Sequence, residues 1–332
     1  MKNYMIKKHI YILRQISIFL LASLSLQALA NNSHEEPNLT NLSSISLREA
    51  RAGFTTKLVN PEIYDQAPLT PPEDIFSLVY YPAKDGEMST YLTPDPKDGK
   101  KHPAVIWISG GFGGQGDDFW SPAPKYNDQT GSAFRKAGLI LMLPNFRGEN
   151  GNPGIDELFY GEIDDLEKAR QFLASQSYVD PNRIYLAGHS TGGTRVLLAS
   201  ELTTGFRAIF SLGGVSDIKT WVGDNVDFLP FDTSDPQEFK LRSPGYFIES
   251  IKTPTFYFEG EEYYNKNFDT LATIAKNKNI PLYSNMIKGG NHFNIIYPIT
   301  ELISQKIIND TGEKTNITFT QEDILKIEQS LY

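Results

Sequence analysis

The sequence predicts an α/β fold: a mostly parallel eight-stranded sheet with helices on both faces and a lid-like insertion. Short apolar runs rich in β-branched residues alternate with longer amphipathic segments along most of the chain, which is typical of a parallel sheet covered on both faces. A glycine-flanked serine at 188–192 separates one such run from one such segment. The 332 residues, 40% of them hydrophobic, are enough to bury the core of one main domain.

Residues 1–30 have the pattern of a secretory signal peptide. Four basic residues precede or border the apolar run 16–26, and Ala28 and Ala30 supply small residues at the cleavage positions. The apolar run is short for a membrane span, and polar residues follow it directly. We therefore expect an exported protein, periplasmic or secreted, that is cleaved near Ala30 and then has no membrane attachment.

Net charge limits the classes of partner that we expect, and cysteine content limits how the protein can be stabilised. Loss of residues 1–30 would remove four positive charges and no negative ones, which takes the formal net charge from −9 to −13. Such a balance argues against nucleic acid or an anionic membrane as a partner. The chain has no cysteine, so an exported form must fold without disulfides.

The elements follow in order along the rest of the chain. Residues 31–74 are polar and proline-rich apart from a short helical stretch at 47–57, and we expect them to wrap the core. The predicted catalytic domain, 75–332, ends in a C-terminal extension at 311–332. Its strands are expected near 75–81, 87–92, 103–109, 139–143, 183–188, 207–212, 254–259 and 281–287, with helices between most of them from the third onward.

The connection at 215–252 is unusually long and rich in aromatic residues. Loops of this length in compact domains are usually functional. One interpretation is a small lid whose aromatic side chains form part of the substrate pocket. The alternative is a structural insertion that packs against the edge of the sheet.

The motif Gly188-His189-Ser190-Thr191-Gly192 lies between a predicted strand and a predicted helix. A serine at such a sharp turn holds its hydroxyl exposed at the edge of the sheet, and the flanking glycines let strand and helix pass closely. We therefore predict Ser190 as a nucleophile.

A serine nucleophile requires a histidine that accepts its proton. Four of the five histidines are set aside by position: His9 in the signal peptide, His34 in the polar stretch after it, His102 in a charged turn, and His189, whose side chain is expected to point away from the serine hydroxyl. The remaining one, His292, follows the predicted strand 281–287 in a Gly-Gly-Asn-His turn. It is the predicted general base.

The acid that orients the imidazole is expected on the loop after strand 254–259. Three glutamates lie there, and we favour Glu262 because it is deepest in the loop. Glu261 is the next candidate, whereas Glu259 can still belong to the strand. Asp217, after strand 207–212, is a further candidate, although an Asp there can equally cap the next segment.

Two backbone N–H groups must face the oxyanion that forms during acyl transfer. Thr191 follows the nucleophile, and the glycine-rich run 109–114 follows a predicted strand, where it frees backbone donors. A phosphate-binding loop is excluded, because the run lacks both the P-loop Lys-Ser/Thr pair and a G-x-G-x-x-G at the strand end. No metal or organic cofactor is needed, and one available histidine is a poor basis for a zinc site.

Arg147 invites a role as a clamp for a substrate carboxylate. An arginine in such a turn is more often a buried structural partner, here of Asp164 or Asp165. We favour the structural interpretation.

These residues and their order resemble the alpha/beta-hydrolase superfamily, and within it the branch of the prolyl oligopeptidase catalytic domain and dienelactone hydrolase. The resemblance covers roughly residues 75–310, including the Asn-Phe-Arg-Gly turn from 145 and the Tyr-Val-Asp-Pro-Asn-Arg run at 178–183. It implies Ser190 as nucleophile, His292 as base, and Gly111 with Thr191 as oxyanion donors.

Two positions depart from the pattern of this branch. Ser109 stands where many relatives have a histidine. The usual Gly-x-x-Asp pattern would place the acid at Tyr263, so the acid has shifted to Glu262 or lies elsewhere.

The predicted function is hydrolysis of a carboxylic ester by a Ser-His-acid triad through an acyl-enzyme. Peptidases of this branch generally carry a large N-terminal propeller, whereas only the segment 31–74 separates the signal peptide from the first strand here. A peptidase acting on short peptides is therefore the alternative. A non-catalytic binding protein on a hydrolase scaffold is the second alternative, since fold does not imply activity.

Overall fold

The computed structural model describes residues 42–61, 63–263 and 266–331. The predicted signal peptide and the cleavage site near Ala30 lie outside these ranges.

Eight strands form one sheet in the order β1-β2-β4-β3-β5-β6-β7-β8. Strand β2 runs antiparallel to both of its neighbours, whereas the pairs from β4 across to β8 are parallel. The strands are β1 (Ser77–Ala83), β2 (Gly86–Leu92), β3 (His102–Ile108), β4 (Ile140–Pro144), β5 (Val179–His189), β6 (Ile209–Leu212), β7 (Thr255–Gly260) and β8 (Leu282–Ile287). The predicted fold class is confirmed, and every predicted strand overlaps an observed one.

Helices connect most of the parallel strands. They are α1 (Leu47–Arg51), α2 (Ser132–Lys136), α3 (Glu162–Ser175), α4 (Thr191–Leu202), α5 (Ile218–Val222), α6 (Pro236–Lys240), α7 (Lys266–Lys278), α8 (Ile296–Asn309) and α9 (Gln321–Gln329). Capping boxes fix the N-termini of α1 and α9. Ser46 with Glu49 caps α1, and Thr320 with Asp323 caps α9. No helix within the described ranges is long and apolar enough to cross a membrane.

The sheet is buried on both faces, as the near-continuous apolar strands predict. Along β3, Ala104 and Ile106 belong to the core shared with α3 and α4. Val105 and Trp107 point to the opposite face, where they join the core formed with α2 and α8. The parallel strands therefore present their carboxyl ends along one edge of a rigid, closely packed layer, where the candidate site residues follow them.

The N-terminal segment lies across the long insertion. The Arg51 guanidinium on α1 donates to the carbonyl oxygens of Phe159, Tyr160 and Leu241 at 2.9–3.0 Å. Farther along, Leu58 forms an isolated antiparallel bridge with Phe231. The segment thereby ties the insertion to the loop before α3.

Of the six aromatic side chains in the insertion 215–252, three are buried, two are half-buried and one is exposed. Phe231 and Phe239 pack in the core with their rings 5.2 Å apart, and Phe247 is buried beside them. Phe228 differs, since 47% of it is exposed, and its ring lies 6.3 Å from that of Trp221. Phe231, Phe239 and Phe247 thus belong to the core, while a lid around Trp221 and Phe228 stays a prediction.

Arg147 is a structural residue, as predicted. Its guanidinium binds Asp165 in a bidentate pair, with Nε at 2.8 Å from Oδ2 and Nη2 at 2.7 Å from Oδ1. Its Nη1 also donates to Glu157 at 3.1 Å. Both members of the Asp165 pair are almost fully buried, so the guanidinium is committed to holding the turn after β4 against α3.

Candidate active site

Ser190 lies at a sharp turn between β5 and α4. Its backbone has φ 56° and ψ −118°, a conformation that is strained for a residue with a side chain. The turn is possible because strand and helix touch without side chains between them. A Cβ atom on Gly192 would overlap the Ile108 carbonyl group at the end of β3, and one on Gly188 would lie 2.5 Å from the Gly192 oxygen. This is the geometry that the glycine-flanked motif predicts.

The turn is held from the side of β6. The Ser190 N–H donates to the Leu212 carbonyl at 2.8 Å, so the nucleophile is tied to the last residue of the neighbouring strand. The next residue, Gly213, has φ +62°, in the left-handed region that favours glycine.

The structure brings His292 to this same point. A Cβ atom on Gly213 would lie 2.7 Å from Cε1 and 2.8 Å from Nδ1 of His292. The imidazole therefore rests directly on a glycine that adjoins the hydrogen-bond partner of Ser190. Ser190 and His292 are 102 positions apart in the sequence. Both contact the Leu212–Gly213 backbone at the carboxyl edge of the sheet.

The loop that carries His292 is rigid. The Asn291 side chain accepts from the N–H groups of Phe293 and Asn294 at 2.9 Å, and the Asn294 side chain accepts from the Asn291 N–H at 2.7 Å. His292 is 5% exposed, and burial lowers the pKa of its imidazole to about 4. The imidazole is therefore neutral near pH 7, as a general base must be.

The predicted oxyanion donors lie beside the nucleophile. The Thr191 hydroxyl donates to the Gly111 carbonyl at 2.8 Å, which fixes the glycine-rich loop to the start of α4. Within that loop, a Cβ atom on Gly110 would be 3.0 Å from the Ser190 Cβ. The loop thus approaches the serine as closely as a backbone without side chains allows.

The acid of the triad is not identified by the contacts of this structure. His292 Nδ1 is buried and has no hydrogen-bond partner among the described residues. Glu262 is exposed, and its backbone N–H donates to the Gly290 carbonyl at 3.1 Å. The predicted role of Glu262 therefore stays a prediction, on a loop that is already tethered two residues from His292.

The other candidate carboxylates have different surroundings. Glu261 is exposed and accepts from the Gly289 N–H at 2.9 Å. Glu259 is buried at the end of β7, where burial raises the pKa of its carboxyl group to about 8. Asp217 caps α5 and accepts from the Thr220 N–H at 2.6 Å. The capping alternative for Asp217 is thus the one that the structure shows.

Two aromatic neighbours of His292 were given no function by the sequence analysis. The Tyr263 ring lies 5.2 Å from the His292 ring, at the position where the Gly-x-x-Asp pattern places the acid. The His189 ring lies 4.5 Å from the His292 ring on another side. The sequence signal for Tyr263 was this departure from the pattern, whereas nothing in the motif indicated that His189 contacts the base.

The chain was compared with known proteins. The sequence model of the prolyl oligopeptidase family matches residues 125–297, which is more than half of the chain. The dual function macrocyclase-peptidase POPB of Amanita bisporigera is 33% identical over 153 residues, which cover 42% of this chain and 20% of that protein. The chain spans between 20% and 54% of the length of the curated relatives it matches.

Solved structures share the fold at low sequence identity. The acylaminoacyl peptidase of Pyrococcus horikoshii superposes with a TM-score of 0.58 at 20% identity, covering 76% of this chain and 44% of that chain. An esterase of Pyrobaculum calidifontis superposes with a TM-score of 0.53 at 14% identity, covering 90% of this chain and 96% of that chain. With the family match extending from before Ser190 to beyond His292, the chain belongs to the prolyl oligopeptidase family of serine hydrolases.

Proposed function

We propose that this protein hydrolyses carboxylic esters through an acyl-enzyme, with Ser190 as nucleophile and His292 as base. The observation that carries the proposal is that both residues contact the Leu212–Gly213 backbone. Ser190 stands at a strained turn tied to Leu212, and the neutral His292 imidazole rests on the next residue, Gly213. A half-buried serine at a strained turn, beside a buried and unprotonated base, is arranged for nucleophilic attack.

The reaction follows from this arrangement. His292 takes the proton from Ser190 Oγ as the oxygen attacks the ester carbonyl, and the Gly111 and Thr191 N–H groups stabilise the oxyanion. The tetrahedral intermediate expels the alcohol, which takes the proton from His292. Water then attacks the acyl-enzyme with His292 again as base, which releases the acid and restores the serine.

His292 Nδ1 has no hydrogen-bond partner among the described residues, which favours an ester over an amide as substrate. An amine leaving group must be protonated by the imidazolium as it departs, and a carboxylate on Nδ1 stabilises that imidazolium. An alcohol is a better leaving group and depends less on this proton. In the structure Nδ1 has no partner among the described residues, and a carboxylate reaches it only after the Glu262 side chain moves. Ester hydrolysis, which depends less on the imidazolium, is therefore the less demanding chemistry for this site.

Glu262 is the proposed acid in the substrate complex. Hydrogen bonds of catalytic groups are often loose without substrate and tighten in the Michaelis complex. The Glu262 N–H already binds the Gly290 carbonyl, so the acid loop and the histidine loop move together. The exposed Glu262 side chain must then turn to bring its carboxylate to Nδ1.

Export is part of the proposal and is supported by the composition of residues 1–30. The second candidate function is cleavage of short peptides. It is favoured by the names of the matching relatives, which include the macrocyclase-peptidase of Amanita bisporigera and the dipeptidyl-peptidase 5 of Porphyromonas gingivalis.

A panel of p-nitrophenyl esters and aminoacyl p-nitroanilides separates the two functions. We expect kcat/KM for the best short-chain ester to exceed that for the best anilide by at least about 100-fold, since an amine leaving group depends more on an imidazolium whose carboxylate must first move into place. The variants Ser190→Ala and His292→Gln should each lose at least about 1000-fold of the ester activity. A higher kcat/KM for anilides would replace the esterase proposal by the peptidase one.

Matched glutamine variants test the acid. We expect Glu262→Gln to lower kcat about 100-fold or more, because the imidazolium loses its carboxylate, while Glu261→Gln stays within about threefold of the wild type. The double variant Glu262→Gln/Tyr263→Asp should recover part of the loss, since it places a carboxylate where the family pattern has one. The assignment of Glu262 is wrong if Glu262→Gln and Glu261→Gln have equal activity.

The pH profile of kcat/KM reports the free enzyme. Burial lowers the pKa of His292 to about 4, and the neutral imidazole that acts as base predominates above this pKa. We therefore expect kcat/KM to be retained as pH falls towards about 5 and to be lost as pH falls through about 4. Far-UV circular dichroism at each pH shows whether the fold persists. An acid limb at about pH 6.5 or above, in folded protein, would contradict the buried and unpaired state of His292.

A further inference from the structure

His189, the residue before the nucleophile, has one hydrogen bond and one close polar contact that the proposed reaction does not use. Its side chain is fully buried. The Nε2 atom lies 2.7 Å from the backbone carbonyl oxygen of His292, and the two imidazole rings are 4.5 Å apart. Because a carbonyl oxygen only accepts hydrogen bonds, Nε2 must be the protonated nitrogen and the donor.

The other ring nitrogen faces the oxyanion loop. Gln129 Oε1 lies 3.0 Å from Nδ1 and accepts from the Gly110 N–H at 3.3 Å. With the proton on Nε2, Nδ1 has none to donate to this oxygen, so the approach is a close polar contact rather than a hydrogen bond. A Cβ atom on Gly110 would be only 3.2 Å from His189 Nδ1, so the imidazole also packs against the glycine itself. One side chain therefore contacts the loop that carries the base and the loop that stabilises the oxyanion.

The contacts of the His189 imidazole bear on the reaction because His189 is joined directly to Ser190 in the chain. His189 is the last residue of β5, and Ser190 follows it directly. Its backbone is fixed in the centre of the sheet by pairing with Leu212 of β6. The imidazole is therefore attached to the backbone that also carries Ser190, and its contacts link both loops to that backbone.

We infer that His189 is a positioning residue, whose imidazole fixes the general base His292 and the oxyanion loop at Gly110 relative to Ser190. The inference rests on the proposed function. Displacement of a reacting group by about 1 Å can cost about 100-fold in rate without a change in the groups that react. Loss of the His189 contacts should therefore reduce the chemical step rather than substrate binding.

Three substitutions at position 189 separate the hydrogen bonds from the packing. A Gln side chain extends its amide nitrogen to about the reach of Nε2 and keeps the donation to the His292 carbonyl. An Asn side chain is polar but too short for that contact, and a Leu side chain fills space without any hydrogen bond. The variant Gln129→Met removes the amide on the other side of the imidazole and leaves residue 189 unchanged.

The test measures kcat and KM for the best p-nitrophenyl ester, together with the rate of fluorophosphonate labelling and Tm, in the wild type and all four variants. We expect kcat and the labelling rate to fall about 10- to 100-fold in His189→Asn and His189→Leu, with KM changed less than about threefold. His189→Gln should retain at least about a third of the wild-type kcat. Gln129→Met should lose about 3- to 10-fold of kcat, since only one of the two contacts is cut.

The possible outcomes are distinct. Wild-type kcat in His189→Leu, or losses in the Gln and Leu variants that are equal and follow Tm, would overturn the inference. Should His189→Leu fail to fold, a wild-type kcat in folded His189→Asn would overturn it equally. A wild type that neither hydrolyses esters nor reacts with the fluorophosphonate would show instead that the proposed function is wrong, and the inference would fall with it.

Discussion

The strained turn at Ser190 is the constraint on which the site depends. A residue other than glycine keeps a φ of 56° only when the surrounding structure fixes its backbone. Here the surroundings are backbone groups: the Ile108 carbonyl against Gly192, and the Leu212 carbonyl that accepts from the Ser190 N–H. Strands β3, β5 and β6 must therefore be in their parallel register before the nucleophile can exist. The two buried faces of the sheet provide the packing that offsets this strain.

The same closeness of backbone groups creates the environment of the base. His292 rests on Gly213, where no side chain intervenes, and it is almost fully withdrawn from water. Burial disfavours the charged imidazole, which lowers its pKa and keeps it ready to accept a proton. The cost falls on the attack by Ser190, because the imidazolium forms as His292 takes the serine proton. A carboxylate would reduce this cost, and the position where the family pattern provides one is occupied by Tyr263, whose ring packs against the imidazole.

The sequence predicted the fold correctly because its signals are local, and it proposed Ser190 and His292 from a motif and by elimination. Apolar strand runs such as 103–109 and 183–188 are recognisable without neighbours, and the glycines around Ser190 have a steric reason that any strand-turn-helix junction would share. His292 was chosen because the positions of the other four histidines set them aside. Asp217 could be assigned either way from sequence, and its hydrogen bond to the Thr220 N–H shows that local capping is its function.

The remaining features depend on tertiary contacts that no local pattern encodes. His189 contacts a carbonyl 103 residues away, so its function could not be read from the motif. Glu259 at the end of β7 and Glu261 and Glu262 in the loop that follows differ in burial and hydrogen bonding rather than in spacing. The insertion 215–252 was ambiguous because aromatic residues suit both a pocket and a core, and only the burial of Phe231 and Phe239 distinguishes them.

The central claim is that Ser190 becomes acylated. Its most direct test is rapid mixing of the protein with p-nitrophenyl acetate, acid quenching within the first turnover, and mass spectrometry of the intact chain and its peptides. The account predicts a transient mass increase of one acetyl group, located on the peptide that contains Ser190 and absent in Ser190→Ala. Turnover of the ester by folded wild-type protein without acetylation of that peptide would contradict it.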